Sequence, residues 1–435
     1  MDAMARRGGH AADRRSRTRE PQARIGGPAV LPRLMSEPAA SPHPLLRLNP
    51  GQERRLKSGH PWAYSNEIAM KPEYRSMEPG APVRIEGDDG WRMGTFMFNP
   101  HSLIAARRLD RDPEAIIDAP WVAARIDEAV ALRSRVTDTP FHRLVHAEAD
   151  RLPGLIVDRY GDVLVMQANT AGMARLTPQL VEALRTALSP RAIVARNDSP
   201  VRAYEGLPEE IGLLHGDPAD AAATVEEGRV TFPVDPLTGQ KTGWFFDQRP
   251  NRDRIAALAS GARVLDVFCH VGAFGLRCAA AGAAAVTLVD SSAPALALAT
   301  EAAERNGLAE KITTRRGDAF DVMTGLAQAG EKFDIVICDP PAFAKAKKDQ
   351  AAALRAYHRM ARLAAPLVAP GGFLFVASCS HHAPLDLFAQ AIADGIQRAR
   401  REARILFTGG AGPDHPVLPH LPESAYLKAQ LIQLF

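Results

Sequence analysis

Four aspartates recur through the C-terminal half of the chain, each at the end of a short apolar run: Asp266, Asp290, Asp318 and Asp339. The segment Asp266-Val-Phe-Cys-His-Val-Gly-Ala-Phe-Gly275 closes the first run and opens a helical one. Gly272 and Gly275 would let the backbone approach a ligand closely at that turn. Asp290 follows about 20 residues on, the offset at which a carboxylate reaches ribose hydroxyls. The segment is not Gly-x-Gly-x-x-Gly, and NAD or S-adenosylmethionine (SAM) would fit it equally. Asp318 stands where a carboxylate can accept from an adenine amino group. Asp339-Pro-Pro-Ala-Phe343 adds a further element: its prolines fix the backbone just past a strand end. Asp339 would then face a cleft and Phe343 would offer a ring face, which suits a nucleobase. A dehydrogenase has no need of the Asp-Pro-Pro element, whereas a tight strand–helix turn alone would account for the glycines.

A fifth run ends in Ala377-Ser-Cys-Ser-His-His382, which brings Cys379 to the same sheet edge. Such a cysteine is inert in most contexts, but beside Asp339 it has a use. Carbon 5 of a pyrimidine is a poor nucleophile. A thiolate that adds to carbon 6 makes carbon 5 electron-rich enough to take a methyl group, dividing one difficult step into easier ones. His381 and His382 are candidates for proton transfer, or are solvated turn residues. Lys345, Lys347 and Lys348 could hold phosphates flanking a flipped-out base, or form a solvated loop.

The elements that must position these residues follow from periodicity. From Gly261 onward, short strands alternate with Ala- and Leu-rich helical segments, the pattern of an α/β fold with a parallel, doubly wound sheet whose ligands lie at the strands' carboxyl ends. Upstream, residues 43–118 show short strands with Gly/Pro turns, the pattern of a small β-barrel. Arg54, Arg55, Lys57 and His60 cluster there with Trp62 and Tyr64, a composition suited to phosphate contact and base stacking, or else a solvated face beside core aromatics. Residues 119–234 read as an α+β middle domain without chemistry of its own, and residues 235–435 as the domain that carries the acids. Residues 1–42 read as a disordered, Arg-rich tail (Arg6, Arg7, Arg14, Arg15, Arg17, Arg19, Arg24, Arg33). The tail is a nucleic-acid-binding arm, a transit-like segment that Asp2, Asp13 and Glu20 argue against, or an extension upstream of a start at Met35.

Composition bounds the class. A hydrophobic fraction of 46% and a charged fraction of 24% in 435 residues exclude a wholly disordered chain and a disulfide scaffold. The net charge of +3 permits a nucleic-acid partner without demanding one. The four cysteines lack Cys-x-x-Cys spacing, which argues against a zinc ribbon and for reduced cytosolic thiols. No apolar run is long enough for a membrane span.

Taken together, these motifs resemble the SAM-dependent methyltransferases that form 5-methylcytidine in large-subunit (23S) ribosomal RNA and carry an N-terminal PUA domain. The resemblance covers residues 45–435. It rests on Gly59-His-Pro-Trp62, Leu152-Pro-Gly-Leu-Ile-Val-Asp-Arg-Tyr160, Gly239-Gln-Lys-Thr-Gly-Trp-Phe-Phe-Asp-Gln-Arg249, Asp339-Pro-Pro-Ala-Phe343, Ser378-Cys-Ser380 and Glu423-Ser-Ala-Tyr-Leu-Lys428. His270-Val271 departs from the aromatic and Thr usual in the family, and His381-His382 stands where Gly is common. The resemblance implies a PUA RNA-binding barrel, an α/β linker region and a Rossmann-like methyltransferase domain. It implies that Phe246, Asp247, Gln248 and Arg249 help to seat SAM. Asp266, Asp290 and Asp318 would bind it, with Phe268, Gly272, Phe274 and Ser291 beside them. Asp339 would hold the target base and Cys379 would be the nucleophile, with Pro340, Pro341, Phe343, Lys345, Arg54, Arg55 and Lys57 toward the RNA. A cytoplasmic enzyme acting on ribosomal RNA is expected, with a homodimer left open and no metal. Two rivals stand beside it: methylation of an exocyclic amino group, which needs no thiol, and an RNA-binding assembly factor with a vestigial SAM site.

Overall fold

The β-branched and aliphatic runs assemble into sheets of five, five and seven strands and a two-stranded hairpin. The computed structural model describes residues 43–237, 242–344 and 346–435. Residues 1–42 with their arginines, Gln240 and Lys345 lie outside the described residues.

The N-terminal sheet contains Leu45–Arg47, Trp62–Ala63, Ala81–Glu86, Arg92–Phe98 and Ala106–Asp110, with the first and second strands at opposite edges. Backbone bonds from Asn49 N to Glu67 O (2.8 Å) and from Ala69 N to Arg47 O (2.9 Å) tie the end of the first strand to the segment that follows the second, so the chain curls back across the open side of the sheet. Period-two alternation turns Val83 and Ile85 inward with Leu46, Phe96 and Phe98.

Next comes helix Ala119–Val136. It starts at Asp118, whose carboxylate accepts from Trp121 N at 3.0 Å, with a proline in the first turn. It packs with helix Thr177–Leu188 on one face of a sheet made of Phe141–His146, Leu155–Tyr160, Val163–Ala168, Ala192–Asn197 and Glu210–His215. The other face of that sheet is also buried. Tyr160, Val163, Val165 and Val194 pack against Val230, Phe232, Trp244 and Phe246, and against Leu276 and Ala302 of the C-terminal region. The middle sheet therefore shares a core with the region that carries the acids.

The seven-stranded sheet has the order Ile312–Arg316, Ala285–Asp290, Arg263–Val267, Phe333–Cys338, Val368–Ser378, Lys428–Leu434, Ala403–Gly409. Alternate strand residues serve opposite faces. Leu265, Val267, Val336, Leu374 and Val376 meet helices Ala319–Gln328, Gln350–Ala364 and Leu385–Arg398. Val264, Val286, Ile335, Ile337 and Phe375 meet helices Arg249–Ala256, Ala273–Ala280 and Ala293–Arg305. The expectation of a wholly parallel sheet is corrected at one edge. Lys428–Leu434 inserts antiparallel between Val368–Ser378 and Ala403–Gly409. No crossover helix separates Ala403–Gly409 from Lys428–Leu434, so the chain returns in the opposite direction. Among the described residues no helix is long and apolar enough to cross a membrane.

Candidate active site

The first strand of the parallel set leaves the sheet through a turn with unusual backbone. Phe268 (φ 64°), His270 (φ 52°) and Gly272 (φ 74°) all lie in the left-handed region, two of them with side chains. Such a conformation persists only where surrounding bonds over-determine it, and it concentrates at ligand sites. Here Asp290 Oδ2 accepts from His270 N at 2.8 Å, Cys269 N donates to Val289 O, and Gly272 N donates to Cys269 O. Asp290 Oδ1 accepts from Ser292 N at 2.8 Å, so one carboxylate ties two strand-end turns together. At Gly275 a Cβ would meet Leu288 Cδ2 at 2.4 Å, which keeps this helix start free of a side chain.

Asp266 lies under this turn, 1% exposed, and accepts from Gly275 N at 2.9 Å. Burial pushes its carboxyl up to about 8, against the Gly275 bond, and the charges of Asp339 and Asp290 push further the same way. Asp318 caps helix Ala319–Gln328 by accepting from Phe320 N (2.9 Å) and Asp321 N (3.2 Å). The acids thus anchor backbone N–H groups, and because the Asp266 carboxyl is raised to about 8 the charge at the strand ends rests with the other acids near pH 7.

Phe343 lies in an aromatic group with Phe268 (6.4 Å between centroids), Phe320 (6.3 Å) and Tyr357 (4.9 Å). Pro340 is buried and Pro341 exposed. The Tyr357 hydroxyl meets Ser378 Oγ at 2.7 Å and Ser380 Oγ at 3.3 Å, and Ala344 N donates to Ser380 Oγ at 3.2 Å. Ser378 and Ser380 are 0% and 1% exposed, so the residue between them is held from both sides. That residue, Cys379, is the cysteine that is not buried. Cys269, Cys278 and Cys338 are enclosed, and burial pushes all three thiols well up. Asp339 and Cys379 each follow a strand end, Cys338 and Ser378, and those two strands are neighbours that pair Cys338 with Val376.

Two residues that sequence reasoning left without a role complete this edge. Lys428 stands opposite Ser378 in the antiparallel ladder, is 8% exposed, and donates from Nζ to Ser380 O at 2.5 Å. Tyr426 donates to Asp247 Oδ2 at 2.6 Å, and burial holds its phenol well above the usual range. Asp247 Oδ1 is buried without a hydrogen-bond partner among the described residues. The signal that could have found both residues is their place in Glu423-Ser-Ala-Tyr-Leu-Lys428, seen in the sequence without a function.

The neighbours of Asp247 are enclosed in packing. Phe246 (1% exposed) lies against Tyr160, with the Arg249 guanidinium 5.4 Å from its ring. Gln248 accepts from Asn251 Nδ2 at 2.6 Å, and Arg249 donates to Phe141 O. Phe274 packs on Phe375 at 5.2 Å, and Ser291 is exposed. Beneath them Glu227 joins Arg252 (2.5 and 2.7 Å), Arg277 (3.1 Å) and the Trp244 indole (3.1 Å). Burial would push its carboxyl up, but Arg252, Arg249 and Arg277 outweigh this and hold it below the usual range.

The middle region, read from sequence as without chemistry, supplies a buried polar cluster next to Tyr426. Arg133 makes a two-pronged pair with Asp150 (2.5 and 2.8 Å) and donates to Asp414 O, while Asp414 Oδ2 accepts from Arg143 N. The His146 ring lies 5.0 Å from His415 and 6.5 Å from Tyr426. Burial, then Arg143, His415 and Arg133, push the His146 imidazole down to about 2, so it is neutral.

The basic and aromatic residues of the N-terminal barrel engage neighbouring acids and one another. Arg55 bonds Glu67 (2.6 Å) and Trp62 O (3.2 Å) and lies 4.3 Å over the Tyr64 ring. Trp62 donates to Glu148 Oε1 at 2.8 Å, beneath the Arg107 guanidinium. Lys57 pairs with Asp89. Arg54 is exposed, as are Lys347 and Lys348 beyond the Asp-Pro-Pro loop.

An α/β sheet with acids at successive strand ends, a turn in left-handed backbone beside them and a cysteine that is not buried has the architecture of an α/β enzyme whose ligand lies at the strand ends. Comparison with known proteins makes this specific. Residues 46–111 match a PUA-like domain, and residues 175–433 match the S-adenosylmethionine-dependent methyltransferase family. The chain is 37% identical over 398 residues to ribosomal RNA large subunit methyltransferase I of Shewanella denitrificans, covering 90% of this chain and 99% of the relative. It is 35% identical to the same enzyme of Photobacterium profundum, covering 87% and 96%. A Streptococcus mutans protein assigned as a SAM-dependent methyltransferase superposes with a TM-score of 0.75 at 21% identity, covering 90% of this chain and all of that one. The chain belongs to the S-adenosylmethionine-dependent methyltransferases and, within them, to the family of ribosomal RNA large subunit methyltransferase I. SAM is the cofactor of that family. The acid-rich strand ends and the buried, unpartnered Asp247 Oδ1 fit a cationic nucleoside.

Proposed function

We propose that this chain methylates carbon 5 of a cytosine in large-subunit ribosomal RNA, with Cys379 as the covalent nucleophile. The observation that carries the reading is the placement of the one cysteine that is not buried at the sheet edge shared with Asp339. The relatives' names supply the RNA class, and the matched PUA-like domain agrees with it. When bound, SAM would supply the methyl group, its sulfur–methyl bond breaking with the electron pair kept by sulfur as the neutral thioether leaves. Asp290 would hold its ribose hydroxyls and Asp318 its adenine amino group, while Asp266 supports the turn through Gly275 N. Asp339 and the Pro340-Pro341 loop hold the edge of the base. The Cys379 thiolate forms a bond to carbon 6, the electron pair of the 5,6 double bond moves to carbon 5, and carbon 5 takes the methyl group. A base then removes the carbon 5 proton, the carbon–sulfur bond breaks, and the thiolate leaves as the double bond returns. Holding donor and base in line supplies most of the remaining rate.

The test is nucleoside mass analysis of unmodified large-subunit rRNA incubated with the protein and methyl-labelled SAM. Label in 5-methylcytidine, lost in Cys379→Ala while SAM binding persists, is the expected result. Full turnover by Cys379→Ala with label on an exocyclic nitrogen would overturn the covalent route. Tight RNA binding with no label at all would overturn catalysis.

A further inference from the structure

The antiparallel strand at the sheet edge does more than extend the sheet. In Lys428-Ala-Gln-Leu-Ile-Gln-Leu434 the period of two sends Ile432 and Leu434 to the face covered by Tyr357 and Phe388, and Lys428 belongs to the same alternate set. Val376 serves that face as well, and so does Ser378, which meets the Tyr357 hydroxyl. The ladder sets Lys428 directly across from Ser378, so an ammonium is delivered to the point where the Ser-Cys-Ser segment leaves the sheet. There it is fastened: Nζ donates to Ser380 O at 2.5 Å, and the residue is 8% exposed. A lysine so enclosed needs a reason, because desolvating its charge is costly unless an anion or acceptors compensate. Ser380 O is a neutral acceptor.

We propose that Lys428 is a positioning residue for Cys379, holding the Ser-Cys-Ser turn through Ser380 O and supplying the positive charge that keeps the Cys379 sulfur as thiolate. The proposal deepens the covalent reading above and rests on it for its role in turnover. The electrostatics agree in direction. Burial holds the Lys428 ammonium below the usual lysine range, and Cys379 opposes that shift. A thiolate stabilised by an adjacent cation is the common device of reactive cysteines. The phenols and imidazoles near Cys379 do not supply the charge, and Asp339 on the neighbouring strand end is an acid. Tyr357 and Tyr426 are phenols pushed up by burial, hence neutral near pH 7, and an anionic Cys379 pushes both further up. Desolvation and the Lys428 charge hold His381 below the usual histidine range, and its ring lies 5.6 Å from Tyr426. His382 follows it in the chain, its carbonyl accepting from Gln350 Nε2.

The experiment measures the pH dependence of Cys379 alkylation by iodoacetamide, read by mass spectrometry of the Cys379 peptide in the full chain. The three enclosed cysteines serve as internal controls. The expected result is a Lys428→Met profile shifted upward by about one pH unit, hence about tenfold slower labelling near neutral pH. Lys428→Arg keeps the wild-type profile, because it keeps the charge. Equal labelling profiles for wild type and a Lys428→Met protein that still binds SAM would overturn the proposal. If Lys428→Met fails to fold, Lys428→Gln replaces it under the same criteria. Labelling reports the thiolate without turnover. A shifted profile combined with full methylation by Cys379→Ala would therefore sink the covalent reading while leaving the lysine–cysteine coupling standing.

Discussion

The barrel cluster around Arg55, Trp62 and Tyr64 and the strand-end cluster around Asp266, Asp290 and Asp318 are both dense in chemically capable residues, yet the fold uses them in opposite ways. In the barrel, charge is met by opposite charge. Glu67 takes Arg55, while Glu148 takes both Arg107 and the Trp62 indole. The Arg55–Glu67 pair is spent inside the barrel, and Trp62 and Arg107 are spent on joining it to the middle region through Glu148. At the strand ends, the carboxylates bond backbone N–H groups of His270, Ser292, Gly275, Phe320 and Asp321. A backbone N–H satisfies a carboxylate's geometry without cancelling its charge, so Asp290 and Asp318 leave their charge at the sheet edge, while the buried Asp266 carboxyl, raised to about 8, adds little of it near pH 7. The difference teaches that residue type shows where charge is available, while the identity of the partner shows whether it is left for a ligand.

The sharpest way to break this contrast is Asp290→Ala. If the strand-end charge serves the donor, SAM affinity measured by calorimetry falls by about 10- to 100-fold, the worth of a charged hydrogen bond at ~1.5–3 kcal/mol. Unchanged affinity would mean that the acid only braces the turn at His270. Glu148→Ala probes the other region. It strips Trp62 and Arg107 of their shared acceptor, and urea unfolding is expected to show a loss of about 1–3 kcal/mol with SAM affinity intact. A loss of SAM binding instead would tie the barrel to the donor site.

A pH titration sharpens the comparison further. The Asp266 carboxyl is raised in the folded chain from 3.8 to about 8, so its contribution to stability is full below pH 3.8 and is lost as pH rises through about 8. Over that window the wild type should lose stability relative to Asp266→Asn in paired unfolding curves. Parallel curves would show that burial and the neighbouring acids do not raise the Asp266 carboxyl. The smallest effects separate two adjacent arginines. Arg54→Ala should leave the melting temperature in place and lower the salt dependence of RNA binding by about one counterion. Arg55→Ala should lower stability by about 1 kcal/mol through its bond to Glu67. Identical behaviour of the two would erase the distinction drawn here.

Much of this architecture was legible before any coordinates. Short β-branched runs alternating with Ala- and Leu-rich helical segments marked the strands that end at Asp266, Asp290 and Asp339, because a parallel strand buried on both faces reads as a nearly continuous apolar run. Cys379 could be placed at the same edge for the same reason. The antiparallel return of Lys428–Leu434 was not legible, since a short apolar run carries no mark of its direction. Nor were the partners: Tyr426 finds Asp247 at a separation of 179 residues, and Arg133 finds Asp414 O at 281.

The sequence by itself determined which residues sit at strand ends and what each could do, because periodicity, turns and side-chain chemistry are local properties. Only the tertiary structure decided which charges are neutralised, which cysteine is reachable and which lysine stands beside it. Those outcomes depend on strand order and on contacts between distant segments, and electrostatic energy is set by distance and burial rather than by position along the chain.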